Sequence, residues 1–215
     1  MEWNEKEIKQ CSKPEGELGI SVGKEMNKSH VDLWKWGLAF INIREYLSIL
    51  DIGCGGGKAI NLMASMFEKS KLIGIDYSEE MVELAREINE GLVQQERVKI
   101  LKGNVESLPF EDSTFELVTA FETYYFWPDL NENLKEIKRT LKPGGKLLMV
   151  NETYKHENFE ERNSKIVAVL DITIHTPKEY RRFLNEAGFE RVEIYELTEK
   201  NWLTAITQKP VDDFR

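Results

Sequence analysis

The sequence has little of what holds small secreted proteins together, because only two of its 215 residues are cysteine, Cys11 and Cys54. One of them lies inside a glycine cluster, so we expect no disulfide framework, and a reducing compartment is favoured. Cysteine and histidine also never recur at the spacing of a zinc site. We therefore expect no bound metal.

Long apolar runs are missing as well. No uninterrupted apolar stretch approaches the roughly 20 residues of a membrane span. The chain starts Met-Glu-Trp-Asn-Glu-Lys-Glu, which lacks the basic and then apolar order of a signal peptide. These absences predict a soluble, cytoplasmic protein with no membrane span.

Basic residues are in the minority, with 29 Lys and Arg against 38 Asp and Glu and a net charge of −9. A protein that grips phosphodiester backbones usually needs a basic face, so a nucleic-acid partner is disfavoured. One basic stripe does occur, formed by Lys135, Lys138, Arg139 and Lys142. We interpret it as the solvated end of a helix whose dipole the cations complement.

What the chain does have is an alternation of strand and helix patterns, typical of a parallel sheet covered by helices on both faces. The patterns predict strands near 47–52, 71–76, 97–102, 115–121, 145–151, 190–197 and 201–208. They predict helices near 30–45, 57–68, 79–95, 130–140 and 177–187. The last two strands meet at a polar turn around Asn201, so they should be antiparallel. The expected fold is α/β: one doubly wound, mostly parallel seven-stranded sheet with the last strand antiparallel.

The most informative segment is 47–60, where an apolar strand runs through a glycine cluster into a helix. Such a loop brings free N–H groups and a positive helix end to one crevice, as nucleotide ligands require. A dinucleotide fingerprint starting at Gly53 would need glycine at position 58, which is Lys58. A P-loop ending in Gly57-Lys58 would need glycine at position 52 and a hydroxyl at position 59, which are Ile52 and Ala59. Neither hydride nor phosphoryl transfer is favoured.

Four segments in order instead resemble the motifs of the class I, Rossmann-like S-adenosylmethionine (SAM)-dependent methyltransferases. They are 50–57 (LDIGCGGG), 74–78 (GIDYS) with Met81, 103–110 (GNVESLPF) and 141–147 (LKPGGKL). The chain is most similar to the small-molecule group that includes quinone-biosynthesis methyltransferases. The resemblance implies one methyltransferase domain over 1–215, with a helical cap at 1–46, a SAM-binding core at 47–150, and a lid region, helix and hairpin at 151–215.

The resemblance also implies roles for individual residues toward SAM. Asp76, 23 residues after the first glycine of the loop, is the expected ribose anchor. Tyr77 lies against the adenine face or simply packs. The family's usual adenine-binding Asp is replaced by Asn104, whose amide oxygen can still accept that hydrogen bond, and the Val105 N–H is a second contact. The full set of expected cofactor-binding residues is Asp51, Gly53, Gly55, Gly57, Asp76, Tyr77, Met81, Asn104, Val105 and Glu122. Cys54 is interpreted as a packing residue.

The acceptor side is less determined by the sequence. The fourth strand ends in 121–128 (FETYYFWP), which should border the crevice at the carboxyl ends of the strands. Within it, Glu122 is the candidate general base and Tyr124 a candidate catalytic residue, although some of the aromatics can simply bury the next helix. His30 is a third candidate, or else packs the first helix. The nearby Trp34 and Trp36 can reach donor or acceptor, and the lid region 152–175 contributes Tyr154, His156, Phe159 and His175.

Three functions are compatible with these features. The leading hypothesis is a SAM-dependent methyltransferase with a small-molecule acceptor, reacting by in-line displacement, which needs positioning and no metal. The same fold with a protein or tRNA acceptor is the enzyme alternative. A SAM or nucleotide sensor without catalysis is the third, and a blocked cavity at the methyl position would favour it. The sequence leaves the oligomeric state open.

Overall fold

The computed structural model describes residues 3–41 and 48–211. Its strands, numbered in chain order, are β1 (Ser48–Ile52), β2 (Lys71–Asp76), β3 (Val98–Lys102), β4 (Phe115–Phe121), β5 (Leu141–Asn151), β6 (Glu190–Leu197) and β7 (Trp202–Gln208). All seven lie where the sequence patterns place strands. Only β5 differs by more than a residue or two, because it begins four residues early.

The helices are α1 (Glu5–Lys9), α2 (Gly16–Ser29), α3 (Val31–Leu38), α4 (Lys58–Met66), α5 (Glu79–Ile88), α6 (Glu90–Gln94), α7 (Leu130–Thr140), α8 (Glu160–Leu170) and α9 (Pro177–Glu186). Two short 3₁₀ turns, Tyr124–Phe126 and Glu157–Phe159, complete the described structure. The helix α9 begins at a capping box in which Thr176 and Glu179 bind each other's backbone N–H groups.

The strands form one sheet in the order β3-β2-β1-β4-β5-β7-β6. Neighbours from β3 to β5 run parallel, and β7 is antiparallel to both β5 and β6. This confirms the predicted α/β fold with a reversed last strand. The direction in which the chain crosses the sheet reverses between β1 and β4: from β1 it proceeds to β2 and β3 at one edge, and from β4 it proceeds to β5 and the other edge. Ligand crevices of doubly wound sheets open at such a switch point, beyond the carboxyl ends of the strands.

Two apolar cores cover the two faces of the sheet. On one face α3, α4 and α5 bury side chains such as Leu33, Ile60 and Val82. On the other face α7 and α9 bury Leu134 and Leu184 against the same strands. The sheet is therefore a rigid support for the loops at its carboxyl edge.

Two predicted helices need correction. The helix predicted at 30–45 begins at Val31 and ends at Leu38, and residues 42–45 of the prediction lie outside the described residues. The helix predicted at 79–95 breaks at Asn89, whose side chain donates to the carbonyl oxygens of Gly57 and Ala85. The helices α1, α2 and α8 lie in the regions that we described only as cap and lid. Within the described residues, no helix is both long enough and apolar enough to cross a membrane.

Candidate active site

A cavity of about 580 Å³ lies at the carboxyl ends of β1, β2 and β4, at the switch point of the sheet. The loop after β1 forms its floor, and residues 121–128 after β4 form one wall. The opposite side is covered by α2, by residues 11–14 before it, and by residues 170–172 at the end of α8. Its size and mixed polar and apolar lining are those of a cofactor or small-molecule site.

The glycine loop shapes the floor of the cavity. Gly53 and Gly55 line it with φ of 68° and 50°, in the left-handed region that favours glycine. At Gly53 an added Cβ would lie 2.4 Å from Cγ2 of Thr123, so no larger residue fits. Gly57, predicted to bind the cofactor, does not line the cavity: it is the N-cap of α4 and packs on Ala85. Gly56 takes its place in the lining.

A side chain of α2 holds this loop in position, and sequence analysis missed it. The amide of Asn27 donates to the carbonyl oxygen of Gly56 at 3.0 Å and accepts from the N–H of Lys58 at 3.4 Å. Asn27 is buried and lines the cavity. Only the structure shows that the cap helix reaches the loop, because the two segments are 29 residues apart in the chain.

Asp76 ends β2 with its carboxylate buried at the cavity. One oxygen accepts from the N–H of Gly55 at 2.8 Å and the other from the N–H of Ser78 at 2.9 Å. Burial raises the pKa of Asp76, and the backbone hydrogen bonds oppose that rise. A carboxylate has about four acceptor sites, so Asp76 keeps acceptor capacity for the hydroxyl groups of a ligand. Tyr77 and Met81 also line the cavity, Tyr77 with an exposed ring and Met81 buried.

Asp51 presents an unsatisfied carboxylate oxygen at the same cavity. Its Oδ1 accepts a hydrogen bond from the Thr119 hydroxyl at 2.6 Å, and its buried Oδ2 has no hydrogen-bond partner in the described structure. Burial raises the pKa of Asp51 to about 7, and the nearby Asp76 adds to the rise while the Thr119 bond opposes it. An orphaned buried oxygen of this kind fits the ammonium end of an amino-acid ligand.

Asn104 and Val105 lie at the rim of the cavity after β3. Val105 is buried, whereas the exposed Asn104 makes an Asx turn in which its Oδ1 accepts from the N–H of Glu106 at 3.1 Å. Its Nδ2 donates to the Glu106 carboxylate at 3.2 Å. Glu106 also lines the cavity and was not among the predicted residues. Asn104 and Val105 therefore border the same cavity as the glycine loop and Asp76.

An acid–base cluster occupies the far part of the site and consists of His30, Glu122 and Glu152. A ring nitrogen of His30 and one carboxylate oxygen from each glutamate lie within 4.8 Å of one another. The Glu152 N–H donates to the Glu122 carboxylate, and His30 Nε2 is 3.3 Å from Oε1 of Glu152. The sequence predicts two of the three. Glu152 is missed, although it follows β5 as Glu122 follows β4, and parallel pairing of Phe121 with Val150 places both at one edge.

The protonation of the cluster follows from its burial. Glu122 lies deep in the cavity with φ of 59°, and burial together with the charge of Glu152 raises its pKa to about 8. Burial alone would lower the pKa of His30, but its hydrogen bond to Glu152 and the charges of Glu152 and Glu122 raise it to about 9. Glu152 is also desolvated, yet its contacts with His30 lower its pKa. The cluster therefore contains a neutral acid beside an ion pair at neutral pH.

Tyr125, and not the predicted Tyr124, faces this cluster. The Tyr125 hydroxyl lies 3.1 Å from the carbonyl oxygen of Thr153 and 3.4 Å from Oε2 of Glu122. Tyr124 is buried in an aromatic group with Tyr180 and Phe183 instead, and it borders only a smaller cavity of about 300 Å³. In a 3₁₀ turn adjacent side chains point in different directions, so the sequence cannot tell which of two tyrosines enters the site.

The remaining aromatic predictions divide in the same way. Trp34 lines the cavity and stacks on His30, whereas Trp36 packs against Phe40 and Trp202 away from it. The predicted lid residues that do not line the cavity are Tyr154, His156, Phe159 and His175. The lid contributes Leu170, Asp171 and Ile172 instead. Cys54 is buried at the edge of the cavity, in agreement with a packing role.

Fold and cavity together define a Rossmann-like protein with a nucleotide-type cofactor site. Residues 50–149 match the family model described as "Methyltransferase domain". Demethylmenaquinone methyltransferase of Bacillus cereus (strain AH187) is 36% identical over 112 residues, which are 52% of this chain and 47% of that protein. The chain thus spans about half the length of the curated relatives it matches.

Solved structures share the fold. One solved structure is a complex between the Trm112 methyltransferase activator of Haloferax volcanii and a methyltransferase. A chain of that complex superposes with a TM-score of 0.79 and 24% identity, covering 92% of this chain and 96% of that one. Geranyl diphosphate C-methyltransferase from Streptomyces coelicolor A3(2), solved with S-adenosyl-L-homocysteine, superposes with a TM-score of 0.73 and 16% identity. That superposition covers 91% of this chain and 82% of the other. The resemblance seen in the four motifs is confirmed: residues 50–149 match a methyltransferase domain model, and the chain shares the fold of these methyltransferase structures.

Proposed function

We propose that this protein transfers the methyl group of SAM to a small organic acceptor. The observation that carries the proposal is the continuity of one cavity from Asp51 and Asp76, at the cofactor end, to the acid–base cluster at Glu122. A sensor needs only the first part. An open cavity that reaches a base is the arrangement that favours catalysis over sensing.

On this proposal the two ends of SAM are held by the residues that the four motifs supply. Asp76 accepts hydrogen bonds from the ribose, and Asn104 and the Val105 N–H receive the adenine. Asp51 and the glycine loop hold the amino-acid end, where the orphaned Oδ2 gains a cationic partner. SAM, when bound, supplies an electrophilic methyl group. Fixing donor and acceptor in line can contribute about 7 to 11 kcal/mol of the barrier reduction.

The acceptor is proposed to lie between Glu122 and the aromatic wall formed by Trp34, Phe121, Phe126 and Trp127. The ionised form of Glu122 accepts the proton that the acceptor loses, and with a pKa of about 8 this form grows as the pH rises from 7 through 8. Aromatic side chains favour an acceptor with a flat or apolar body. Relatives named for demethylmenaquinone and geranyl diphosphate support a small organic acceptor.

Calorimetric titration with SAM, S-adenosylhomocysteine and NADH tests the proposal. We expect both adenosyl ligands to bind and NADH not to bind. Asp76→Ala should weaken SAM binding by about one to two orders of magnitude, the scale of losing charge-assisted hydrogen bonds. Asp112→Ala is the matched control, because that carboxylate is exposed and pairs with Arg139 outside the cavity. Unchanged affinity in Asp76→Ala would refute the ribose assignment.

A further inference from the structure

The proposed reaction uses one carboxylate of the cluster, yet Glu152 lies beside it and is held there by specific contacts. We propose that Glu152 is a positioning residue: it keeps His30 as a doubly protonated cation beside Glu122 and returns the acceptor's proton from Glu122 to water. This inference rests on the proposed function for the reaction, but its geometry is independent of any ligand.

The hydrogen bonds of His30 fix the position of one ring proton. Nδ1 lies 3.0 Å from the carbonyl oxygen of Met26 and 3.2 Å from Oγ of Ser29. The carbonyl can only accept, and the Ser29 hydroxyl donates its proton to the carbonyl oxygen of Glu25 at 3.1 Å. Nδ1 must therefore carry a proton.

That assignment leaves Nε2 of His30 facing Oε1 of Glu152 at 3.3 Å. In a neutral ring with Nδ1 protonated, Nε2 is a lone-pair acceptor, and two acceptors at this distance repel each other. A second ring proton converts the contact into a charge-assisted hydrogen bond. The side chain of His30 is only 9% exposed, so solvent screens its contact with Glu152 only weakly.

Other charged and titratable groups around the pair agree with this arrangement. The Glu122 carboxylate faces it from the loop after β4, and Arg162 of α8 lies near Glu152, to whose carbonyl oxygen it donates at 3.0 Å. Cys11 faces both glutamates from the segment after α1, and burial and those two charges raise the pKa of its thiol to about 12. Cys11 therefore remains neutral and does not compete for the proton.

Tyr125 fixes the starting point of the proton path. Its hydroxyl can donate to the Thr153 carbonyl oxygen at 3.1 Å or to Oε2 of Glu122 at 3.4 Å. The second of these contacts favours the ionised form of Glu122, which is the form that takes the acceptor's proton.

Charge and atoms balance over one turnover. The turnover starts from ionised Glu122. The bond from the sulfonium sulfur of SAM to its methyl carbon would break as the acceptor's bond to that carbon forms, and the sulfur would keep the electron pair and leave as S-adenosylhomocysteine. The acceptor's bond to hydrogen breaks, and the Glu122 carboxylate takes the proton. Glu122 passes the proton to the nearby Glu152 carboxylate. The side chain of Glu152 is 45% exposed, and it releases the proton to water. All three residues of the cluster return to their starting states.

The test compares Glu152→Gln with Glu157→Gln, a matched substitution at an exposed position of the same loop. Histidine-labelled protein gives the NMR titration of the three histidines, and the variant His30→Gln assigns the signal. We expect wild-type His30 to titrate near pH 9 and to fall by about two units in Glu152→Gln, the scale of losing a buried charge partner. Glu157→Gln should leave the titration unchanged.

The second readout is methyl transfer to a naphthoquinol probe. Glu152→Gln should lower kcat by about 10- to 100-fold, toward the lower end of general acid–base effects, without changing SAM affinity or the KM of the probe. A wild-type His30 that titrates below pH 7, an unchanged titration in Glu152→Gln, or an unchanged kcat would overturn the proposal. Tight Zn²⁺ or Mn²⁺ binding that Glu152→Gln abolishes would also overturn it, since the cluster would then be a metal site. A wild-type protein that fails to bind SAM would refute only the proposed function, because the NMR titration needs no ligand.

Discussion

Replacing glycines of the cofactor loop separates backbone strain from steric overlap. Gly57 has φ of 77°, and an added Cβ would lie 2.7 Å from both Cα and Cβ of Ala85. Gly55 has φ of 50°, but its added Cβ meets nothing within 4 Å. Gly91 has neither feature. The three positions form a graded series for a single substitution, glycine to alanine.

The expected costs follow from these contacts. Holding alanine in the left-handed region costs about 1 to 2 kcal/mol. Overlap with the backbone of a packed helix adds about 1 to 3 kcal/mol, because Ala85 cannot rotate away. We therefore expect Gly57→Ala to lower the free energy of unfolding by about 2 to 5 kcal/mol and Gly55→Ala by about 1 to 2 kcal/mol. Gly91→Ala, in a helix, should stabilise slightly.

Urea denaturation followed by circular dichroism measures the series. With an m-value of about 3 kcal/mol per M, the midpoint should fall by about 0.7 to 1.7 M for Gly57→Ala and about 0.3 to 0.7 M for Gly55→Ala. Equal m-values across the variants are needed for this comparison. A Gly57→Ala protein as stable as Gly55→Ala would refute the claim that packing on Ala85, more than positive φ, requires glycine there.

Three further predictions concern the site and one helix end. The folded pKa of Asp51, about 7, is raised above its unfolded value of about 3.9, so stability is full below pH 4 and is lost as pH rises through 7. At pH 8 the free energy of unfolding of Asp51→Asn, measured by urea denaturation, should thus exceed that of wild type by about 2 to 4 kcal/mol. At pH 4 the two proteins should be similarly stable, and the variant should bind SAM more weakly by calorimetry. No gain in stability at pH 8 would contradict a buried charge at Asp51. Tyr125→Phe should slow methyl transfer to the naphthoquinol probe, whereas Tyr124→Phe should not, and the reverse order would restore the sequence-based choice. Thr176→Ala removes the capping bond to Glu179 and should lower stability by about 1 kcal/mol in thermal melts, and an unchanged melting temperature would show that the cap is dispensable.

The strands and the cofactor end of the site could be predicted because their signals are local. Each buried strand is a short apolar run, and the glycine loop and Asp76 follow two of them directly. The early start of β5 could not be predicted, since Leu141 pairs with Phe115 across an irregularity at Pro143-Gly144-Gly145 that resembles a turn in sequence.

The helix α2 and the acceptor end were harder to predict for a different reason. Glycine in a helix pattern weakens the prediction, yet Gly19 and Gly23 are there because an added Cβ would lie 2.7 Å from Pro14 and from Met81. Similarly, Glu152 and Tyr125 are identified by contacts between segments about 30 residues apart. The roles of these residues depend on contacts between distant segments, and no local sequence pattern predicts such contacts.

The lid helix α8 differs from the other large helices in how it is held. Its main packing partners are the five-residue α1 and the 3₁₀ turn before it, and only Asn163 of its side chains is buried. Local opening free energies are small where few buried apolar contacts resist them. The amide hydrogens of α8 should therefore exchange with solvent well before those of α4 or α5. The entrance of the cavity can then open on its own while the sheet beneath stays folded, so on the proposed function the acceptor's route in is independent of the protein's global unfolding.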